Sequence, residues 1–212
     1  MSIKKLTFFV CLLSNIIPAF GQQEANTHDG FFVNLSLGAN FGKVNIEVDD
    51  NNVLDSYNVD FTGSGVAFDL LIGGSPVENI AIHATLAGVS LINPDFERQE
   101  PIGSPNGDTE DTFLNTSFLG AGATFYTKDN FFFSPNIGRG TISFNIDSET
   151  TTSDGGFGFL LRAGKEWWVG DQWGLGFALS YRGALGSTEL ELDLEEKWSS
   201  TNFSVSFSAT FN

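Results

Sequence analysis

The chain has 212 residues, a formal net charge of −16 and a single cysteine. Its length suffices for one domain of ordinary size. So acidic a chain is a poor partner for nucleic acid, because binding a polyanion requires a cationic surface. The composition is rich in phenylalanine (22 residues) and glycine (24 residues). Few segments show the helical spacing of apolar residues, and we therefore predict an all-β protein.

The first residues predict a secretory signal peptide. Lys4 and Lys5 precede a short apolar stretch, Leu6–Leu13, and Pro18, Ala19, Phe20 and Gly21 follow it. This pattern indicates cleavage before Gln22 and export from the cytoplasm. Its removal would leave eight basic and 26 acidic side chains, a net charge of −18. The only cysteine, Cys11, would also be lost, so we expect no disulfide in the mature protein.

Strict alternation of apolar and polar residues is the strongest pattern in the chain, and it predicts strands with one apolar face. In the last segment, Phe203, Val205 and Phe207 alternate with Ser204, Ser206 and Ser208. Eight segments alternate in this way: Phe31–Gly42, Val66–Gly73, Ile80–Leu86, Leu119–Phe125, Phe131–Gly138, Phe157–Gly164, Trp173–Arg182 and Thr201–Phe211.

The predicted connections alternate in length. Three are short turns, Gly74–Asn79, Thr127–Asn130 and Val169–Gln172, whereas four are long and polar, at about 43–60, 93–112, 145–156 and 186–197. Short periplasmic turns and long extracellular loops around an even number of antiparallel strands are typical of outer-membrane barrels. We therefore predict an eight-stranded antiparallel up-and-down transmembrane β-barrel with three short periplasmic turns and four long extracellular loops.

Alternation alone does not decide which face meets the solvent, since a soluble barrel would bury its apolar face. The polar faces carry Gly, Ser, Asn and Thr with few Lys or Glu, and aromatic residues such as Tyr126 and Trp167 gather near the short turns. Both observations favour a membrane barrel, in which aromatic residues form an interfacial girdle. A barrel of eight strands has an interior only wide enough for side chains.

These features resemble the small eight-stranded outer-membrane proteins of the OmpA-barrel, OmpW-like and opacity-protein type, over about Gly30–Asn212. The resemblance implies a monomer in the bacterial outer membrane, in contact with lipid and lipopolysaccharide and inserted by the assembly machinery. The chain departs from the family pattern at Asn212, because the family's assembly signal usually ends on an aromatic residue. We assign residues 1–21 to the signal peptide, 22–29 to a short periplasmic segment and 30–212 to the barrel.

Strand parity points five titratable side chains into the barrel: Asp69, His83, Arg162, Glu166 and Arg182. They could form a constriction for a small polar solute, or an ion-pair network that fills the lumen, and we favour the network. Arg139 follows the lipid-facing Ile137, whereas Ile142 implies the opposite parity. We expect a bulge or the barrel rim between them, with Arg139 at the rim or inside.

The histidines argue against catalysis. A hydrolase site at the extracellular rim would need a histidine there, but His28 precedes the barrel and His83 follows a short turn. We predict no catalytic residue, no cofactor and no dedicated metal site. We interpret the acidic loops as a solvated surface. The alternative is that they bind Ca²⁺ or Mg²⁺ weakly. The alternating run Glu189–Glu196 predicts a hairpin above the membrane that could dock a surface ligand.

Two functions remain open from these observations. The first is a structural or surface-interaction barrel whose lumen is mostly plugged. The second is a narrow porin, or an OmpW-like channel for small or hydrophobic molecules. The inward residues identified above are mostly Gly, Ser, Thr and charged, which offers little to an apolar ligand.

Overall fold

The computed structural model describes residues 26–49, 57–99, 105–146, 149–189 and 195–212. The predicted signal peptide and Cys11 lie outside these residues. Eleven strands run through the described chain: β1 (Gly30–Asp49), β2 (Tyr57–Val77), β3 (Ile80–Ile92), β4 (Asp95–Gln99), β5 (Asn106–Asp108), β6 (Thr112–Tyr126), β7 (Phe131–Ile146), β8 (Glu149–Thr152), β9 (Gly156–Trp168), β10 (Trp173–Glu189) and β11 (Glu195–Phe211).

Eight of these strands close into a ring, which confirms the predicted fold. Around the ring the order is β1, β2, β3, β6, β7, β9, β10 and β11, and β11 pairs again with β1. All neighbours are antiparallel. Closure gives each of these strands a partner on both sides, as a lipid environment requires because it offers no hydrogen-bond partner to an open edge. No helix among the described residues is long and apolar enough to cross a membrane.

The barrel wall is apolar outside and largely polar inside. Leu37 and Ile137 on the outer face are 63% and 67% exposed, whereas Asn40 and Ser204 on the inner face are completely buried. On β1 the outward apolar residues run from Phe31 to Phe41. For a strand tilted by about 40° this stretch covers roughly 25 Å of membrane thickness, the height of a lipid-facing band.

Both faces change polarity at the loop end of this band. On β1 the outward residue changes from Phe41 to Lys43, while the inward residue changes from Asn40 to Val44. The register with β11 continues without a shift through this point, so side-chain direction is unchanged. We call the part of the barrel beyond this boundary the outer section. Its interior is an apolar core of Val44, Ile46, Leu91, Leu114, Ile142, Ala184 and Trp198.

The predicted long loops are in large part strands of this outer section, so the expected loop boundaries are wrong. β1 continues to Asp49 and β2 begins at Tyr57, while β4 and β5 add to the edge of β2 and β8 adds to β7. The first short turn also differs, because β2 continues to Val77 through a register shift. That leaves Glu78 and Asn79, and Asn79 takes the left-handed conformation (φ 67°) that Asn tolerates in tight turns.

Replacing Trp198 with Ala is expected to lower the free energy of unfolding by about 3–5 kcal/mol, because its buried ring fills the core of the outer section. Urea unfolding of the protein in lipid vesicles measures the change. Ser199→Ala is the matched control, since Ser199 is exposed on the opposite face and its loss should cost about 0.5 kcal/mol or less. Equal losses in the two variants would contradict an apolar core at this level.

Candidate functional site: the barrel lumen and its ends

An ion-pair cluster crosses the middle of the lumen. The Asp69 carboxylate on β2 lies 3.4 Å from Arg162 Nε and 3.0 Å from Arg182 Nη1, on β9 and β10. All three side chains are at least 96% buried. Charges so deeply buried must be compensated by a partner, and here one carboxylate serves two guanidinium groups. The cluster therefore links strands on opposite sides of the barrel.

Polar side chains that sequence reasoning did not single out complete this cluster. Arg162 Nη2 donates to Asn34 Oδ1 at 2.9 Å and to Ser36 Oγ at 2.6 Å. Arg182 Nη2 donates to Ser204 Oγ at 3.1 Å. The only signal for these partners was the inward parity of β1 and β11, which does not distinguish them from other inward polar residues.

Glu166 joins the cluster indirectly. Its Oε1 accepts hydrogen bonds from Thr210 Oγ1 at 2.6 Å and from Asn34 Nδ2 at 3.5 Å. Because Asn34 Oδ1 also accepts a hydrogen bond from Arg162, the Asn34 amide bridges Glu166 to Arg162. The connected cluster therefore contains two acidic side chains, Asp69 and Glu166, and two basic ones, Arg162 and Arg182.

His83 lies apart from these charges in a neutral hydrogen-bonded group. Its Nδ1 is 3.0 Å from Thr85 Oγ1 and its Nε2 is 2.9 Å from Thr124 Oγ1. Thr85 in turn donates to Asn136 Oδ1 at 2.7 Å. The structure therefore places four of the five predicted residues in one connected cluster and the fifth in a separate one.

Apolar side chains occupy other levels of the interior, in addition to the mostly Gly, Ser, Thr and charged inward residues that the sequence indicated. Near the turn end lies a cluster of Phe32, Leu71, Ala81, Tyr126, Phe132 and Ala178. A smaller cluster contains Ala87, Phe118 and Leu160, and the core of the outer section lies at the loop end. Sequence reasoning missed these layers because each strand contributes only one or two residues to any one layer.

Residues 26–29 lie across the short-turn end of the barrel, where His28 is buried against residues of the turns. Its ring stacks on Tyr126 with 3.4 Å between centroids and lies 4.8 Å from Trp168. His28 Nε2 is 3.3 Å from Asn130 Oδ1, and its backbone oxygen accepts from Asn79 N at 3.0 Å. Burial lowers the pKa of His28 below its ordinary value, although the neighbouring side chains of Asn212 and Asn130 and the charge of Asp29 partly offset this.

Asn212 lies at the same end of the barrel, and we call residues 26–29 and the side chains that they contact there the floor of the barrel. Asn212 is completely buried, and its backbone N donates to Gln172 O at 3.0 Å. Its side chain lies near His28. Phe211, one position earlier, faces outward beside Trp173, with ring centroids 5.2 Å apart. Asn212 thus makes a polar contact inside this end of the barrel.

The outer section carries a polar cleft of about 370 Å³ on its outward face, between β1, β2, β4 and β5. Asp60, Asp95, Glu97 and Asp108 line it together with Lys43. Lys43 Nζ pairs with Asp60 Oδ2 at 2.9 Å. Among the described residues no group of three or more His, Cys, Asp or Glu side chains is arranged to hold a metal ion.

Arg139 faces outward, which corrects the expected bulge and the alternative of an inward position. Inward residues on β7 continue without interruption from Asn136 through Gly140 to Ile142. The apolar residues change parity along the sequence because inward positions such as Ile142 become apolar beyond the lipid boundary, while the direction of the side chains stays the same. Arg139 therefore sits on the outer wall just beyond Ile137, at the level where the apolar band ends.

The chain matches no protein-family model and no curated protein, whereas several solved structures resemble it. Neisserial surface protein A (NspA) is 11% identical with a TM-score of 0.52, over 85% of this chain and 96% of that one. Outer membrane protein OprG from Pseudomonas aeruginosa is 12% identical with a TM-score of 0.50, over 87% and 98%. Outer membrane protease OmpT from Escherichia coli is 9% identical with a TM-score of 0.42, over 88% and 97%.

The first two likenesses show the fold, that of an eight-stranded outer-membrane barrel. The apolar outer wall agrees with this, because a surface of that kind requires lipid around it. The chain is therefore an outer-membrane β-barrel by fold, as the sequence predicted.

Proposed function

We propose that this protein is a structural and surface-interaction barrel of the bacterial outer membrane whose lumen is plugged. The observation that carries the proposal is the position of Asp69, which holds Arg162 and Arg182 together across the interior. In this proposal Glu166 and His83 complete the plug through their hydrogen-bonded neighbours. Apolar layers on either side of the charged level add to it.

A narrow channel for small or hydrophobic molecules is the second candidate. It is favoured by Ser180, Ser206 and Ser208, whose buried hydroxyl groups have no hydrogen-bond partner among the protein atoms. Buried hydroxyls of this kind are usually satisfied by water. A continuous file of water past the charged cluster would allow small solutes to cross.

Planar-bilayer conductance of the purified barrel distinguishes these two candidates. We expect no stable single-channel steps from the wild type, because ion-paired side chains fill an interior that is narrow already. Lys165→Ala is the matched control for charge removal, since Lys165 faces outward and donates to Asp129 O at the periplasmic turn. Stable steps in the wild type and in this control that disappear in Arg162→Ala would show that Arg162 lines a conducting path, against the plug.

We further propose that the barrel is not an enzyme. His28 and His83, the two histidines of the chain, are both at the periplasmic half of the barrel and both are engaged with neighbouring side chains. A general base for acyl transfer at the outer rim would have to come from another residue type. A change in the acyl chains of lipopolysaccharide after incubation with the protein, read by mass spectrometry, would contradict this.

The remaining proposals concern processing and partners. Residues 1–21 would be removed on export, 22–29 would form the periplasmic segment and 30–212 the barrel. The assembly machinery would recognise the last strand, and the folded protein would be a monomer surrounded by lipid and lipopolysaccharide. Its acidic outer section is the surface most exposed to ligands or other cells, and it supports the proposed surface role.

A further inference from the structure

Residues 26–29 cross the short-turn end of the barrel before β1 begins, and we call this segment the strap. Left-handed backbone marks both of its ends, since Asn26 has a φ of 59° and Gly30 a φ of 74°. Glycine and asparagine adopt this conformation more readily than other residues, so the chain can change direction sharply at both points. Gly30 is also the first residue of β1 and pairs with Ser75 on β2. The strap is therefore joined to the barrel through a residue with unusual backbone freedom.

The strap is held to the turns by isolated contacts. Asn26 N donates to Asp171 O at 2.8 Å, and His28 O accepts from Asn79 N at 3.0 Å. The Thr27 hydroxyl donates to Asp29 Oδ1 at 2.8 Å, which is a bond within the strap itself. Residues 26–29 belong to no strand, so they lack the continuous ladder of hydrogen bonds that holds β1. The strap can therefore separate from the turns while every strand of the ring stays paired.

His28 is the strap side chain that is inserted most deeply, and only 2% of it is exposed. Its Nε2 faces Asn130 Oδ1, whereas its Nδ1 has no hydrogen-bond partner among the residues that the structure describes. With Nε2 donating to Asn130, a second proton would be added at Nδ1. A charged ring would then be buried with one N–H group unpaired, which is costly. Protonation of His28 therefore opposes the seated position of the strap.

The charges around His28 do not remove this cost. Asp29 favours the protonated ring, but burial outweighs it and keeps the pKa of His28 below its ordinary value. Asp171 meets the strap through its backbone oxygen, and Glu166 accepts a hydrogen bond from Thr210. The other ionisable side chains at this end, on turns and strand ends, are Glu78, Tyr126, Lys128 and Asp129. A proton is therefore bound more tightly by His28 outside the floor than within it.

We propose that the strap is a pH-sensitive latch, in which protonation of His28 releases residues 26–29 from the floor while the eight strands stay paired. Release uncovers residues that the seated strap covers, among them Tyr126 and Asn212, which are 8% and 0% exposed. The short-turn end of the lumen is then open to water under mildly acidic conditions and closed near neutral pH. The ion-pair cluster of Asp69 lies deeper in the lumen and is not part of the latch.

Amide hydrogen exchange of the purified barrel in micelles, at pH 7.5 and 5.0, tests the latch. The amides of Asn26 and Asn79 report on release, because each is hydrogen-bonded between the strap and a turn. After correction for intrinsic exchange rates, we expect their opening to increase at pH 5.0 by up to about thirtyfold. This is the limit for a histidine that regains its ordinary pKa of about 6.5 on release. The direction follows because a lowered pKa in the seated state stabilises that state above pH 6.5 and less so below it.

Control amides and variants separate release of the strap from other changes. Thr127 N and Val169 N donate to Phe131 O and Trp173 O within turns at the same end, so their exchange should not change with the strap. His28→Phe keeps an aromatic ring on Tyr126 and cannot titrate, so its two reporter amides should show no increase at pH 5.0. His83→Gln removes the other histidine and should respond like the wild type. Heat-dependent gel mobility shows that each variant is folded.

Three results would overturn the latch. Equal opening of the Asn26 and Asn79 amides at both pH values in the wild type would show that the strap stays seated. The same increase in His28→Phe would assign the response to another group. An equal increase at Thr127 and Val169 would show that this whole end of the barrel opens. None of these outcomes depends on conductance, so the latch and the plugged lumen fail independently.

Discussion

Asp69→Asn is expected to lower the free energy of unfolding by about 3–5 kcal/mol, because it leaves two buried guanidinium groups without a counter-charge. The substitution keeps the size of the side chain, so the loss reports charge rather than a cavity. Arg162 and Arg182 have hydrogen bonds to neutral groups such as Asn34 and Ser204, but these do not neutralise them. Urea unfolding in lipid vesicles, followed by tryptophan fluorescence, measures the change.

Asp60→Asn on the same strand is the matched control. Asp60 is also ion-paired, at 2.9 Å from Lys43, but the two side chains are 22% and 52% exposed. An exposed pair of this kind contributes about 1 kcal/mol or less. If Asp69→Asn costs no more than Asp60→Asn, the central cluster is not the element that holds the barrel interior together.

We expect the free energy of unfolding to decrease as the pH falls, because His28 in the floor of the barrel becomes protonated. Burial lowers the pKa of His28, so the folded protein binds fewer protons than the unfolded chain below the ordinary histidine value of about 6.5. The free energy of unfolding must therefore decrease as the pH falls through that value. Protonation would also place a charge against Tyr126 and Trp168 in the buried floor.

His28→Phe isolates this effect, because a phenyl ring keeps the stacking on Tyr126 and cannot titrate. The stacked pair itself is worth about 0.5–1.5 kcal/mol beyond burial, so His28→Ala should destabilise the floor at every pH. Urea midpoints at pH 7.5 and 5.0 are compared between wild type and His28→Phe, with His83 and Asp29 present in both. The same pH dependence in both proteins would assign the effect to another group.

The barrel itself followed from the sequence because alternation is a local property that survives in every strand. Segments such as Phe203–Phe211 have one apolar and one polar face whatever their neighbours are. Inward parity likewise placed Asp69, Arg162 and Arg182 on the same side of the wall. Their meeting at one level could not be deduced, since it depends on the stagger between strands that are distant in sequence.

The outer section was missed because alternation says which residues share a face but not what that face touches. Beyond the lipid boundary the same strand continues with water outside, so Lys43 and Val44 exchange the polarities of Phe41 and Asn40. In the sequence this exchange interrupts the apolar pattern and suggests a loop or a bulge. A change in the parity of apolar residues without Gly or Pro clusters is better interpreted as a strand that leaves the membrane. The floor was missed for another reason: residues 26–29 have no periodic pattern at all.

The strand-built outer section also bears on how antibodies would recognise this surface. Asp60, Asp95 and Glu97 are displayed by paired strands, and their spacing depends on the register of β2 and β4. Antibodies raised against the intact barrel would therefore bind discontinuous epitopes made of several strands. Antibodies raised against synthetic peptides of the same segments would bind the folded barrel poorly, because the peptides lack the paired-strand conformation. Immunisation with this protein would need the folded barrel in lipid.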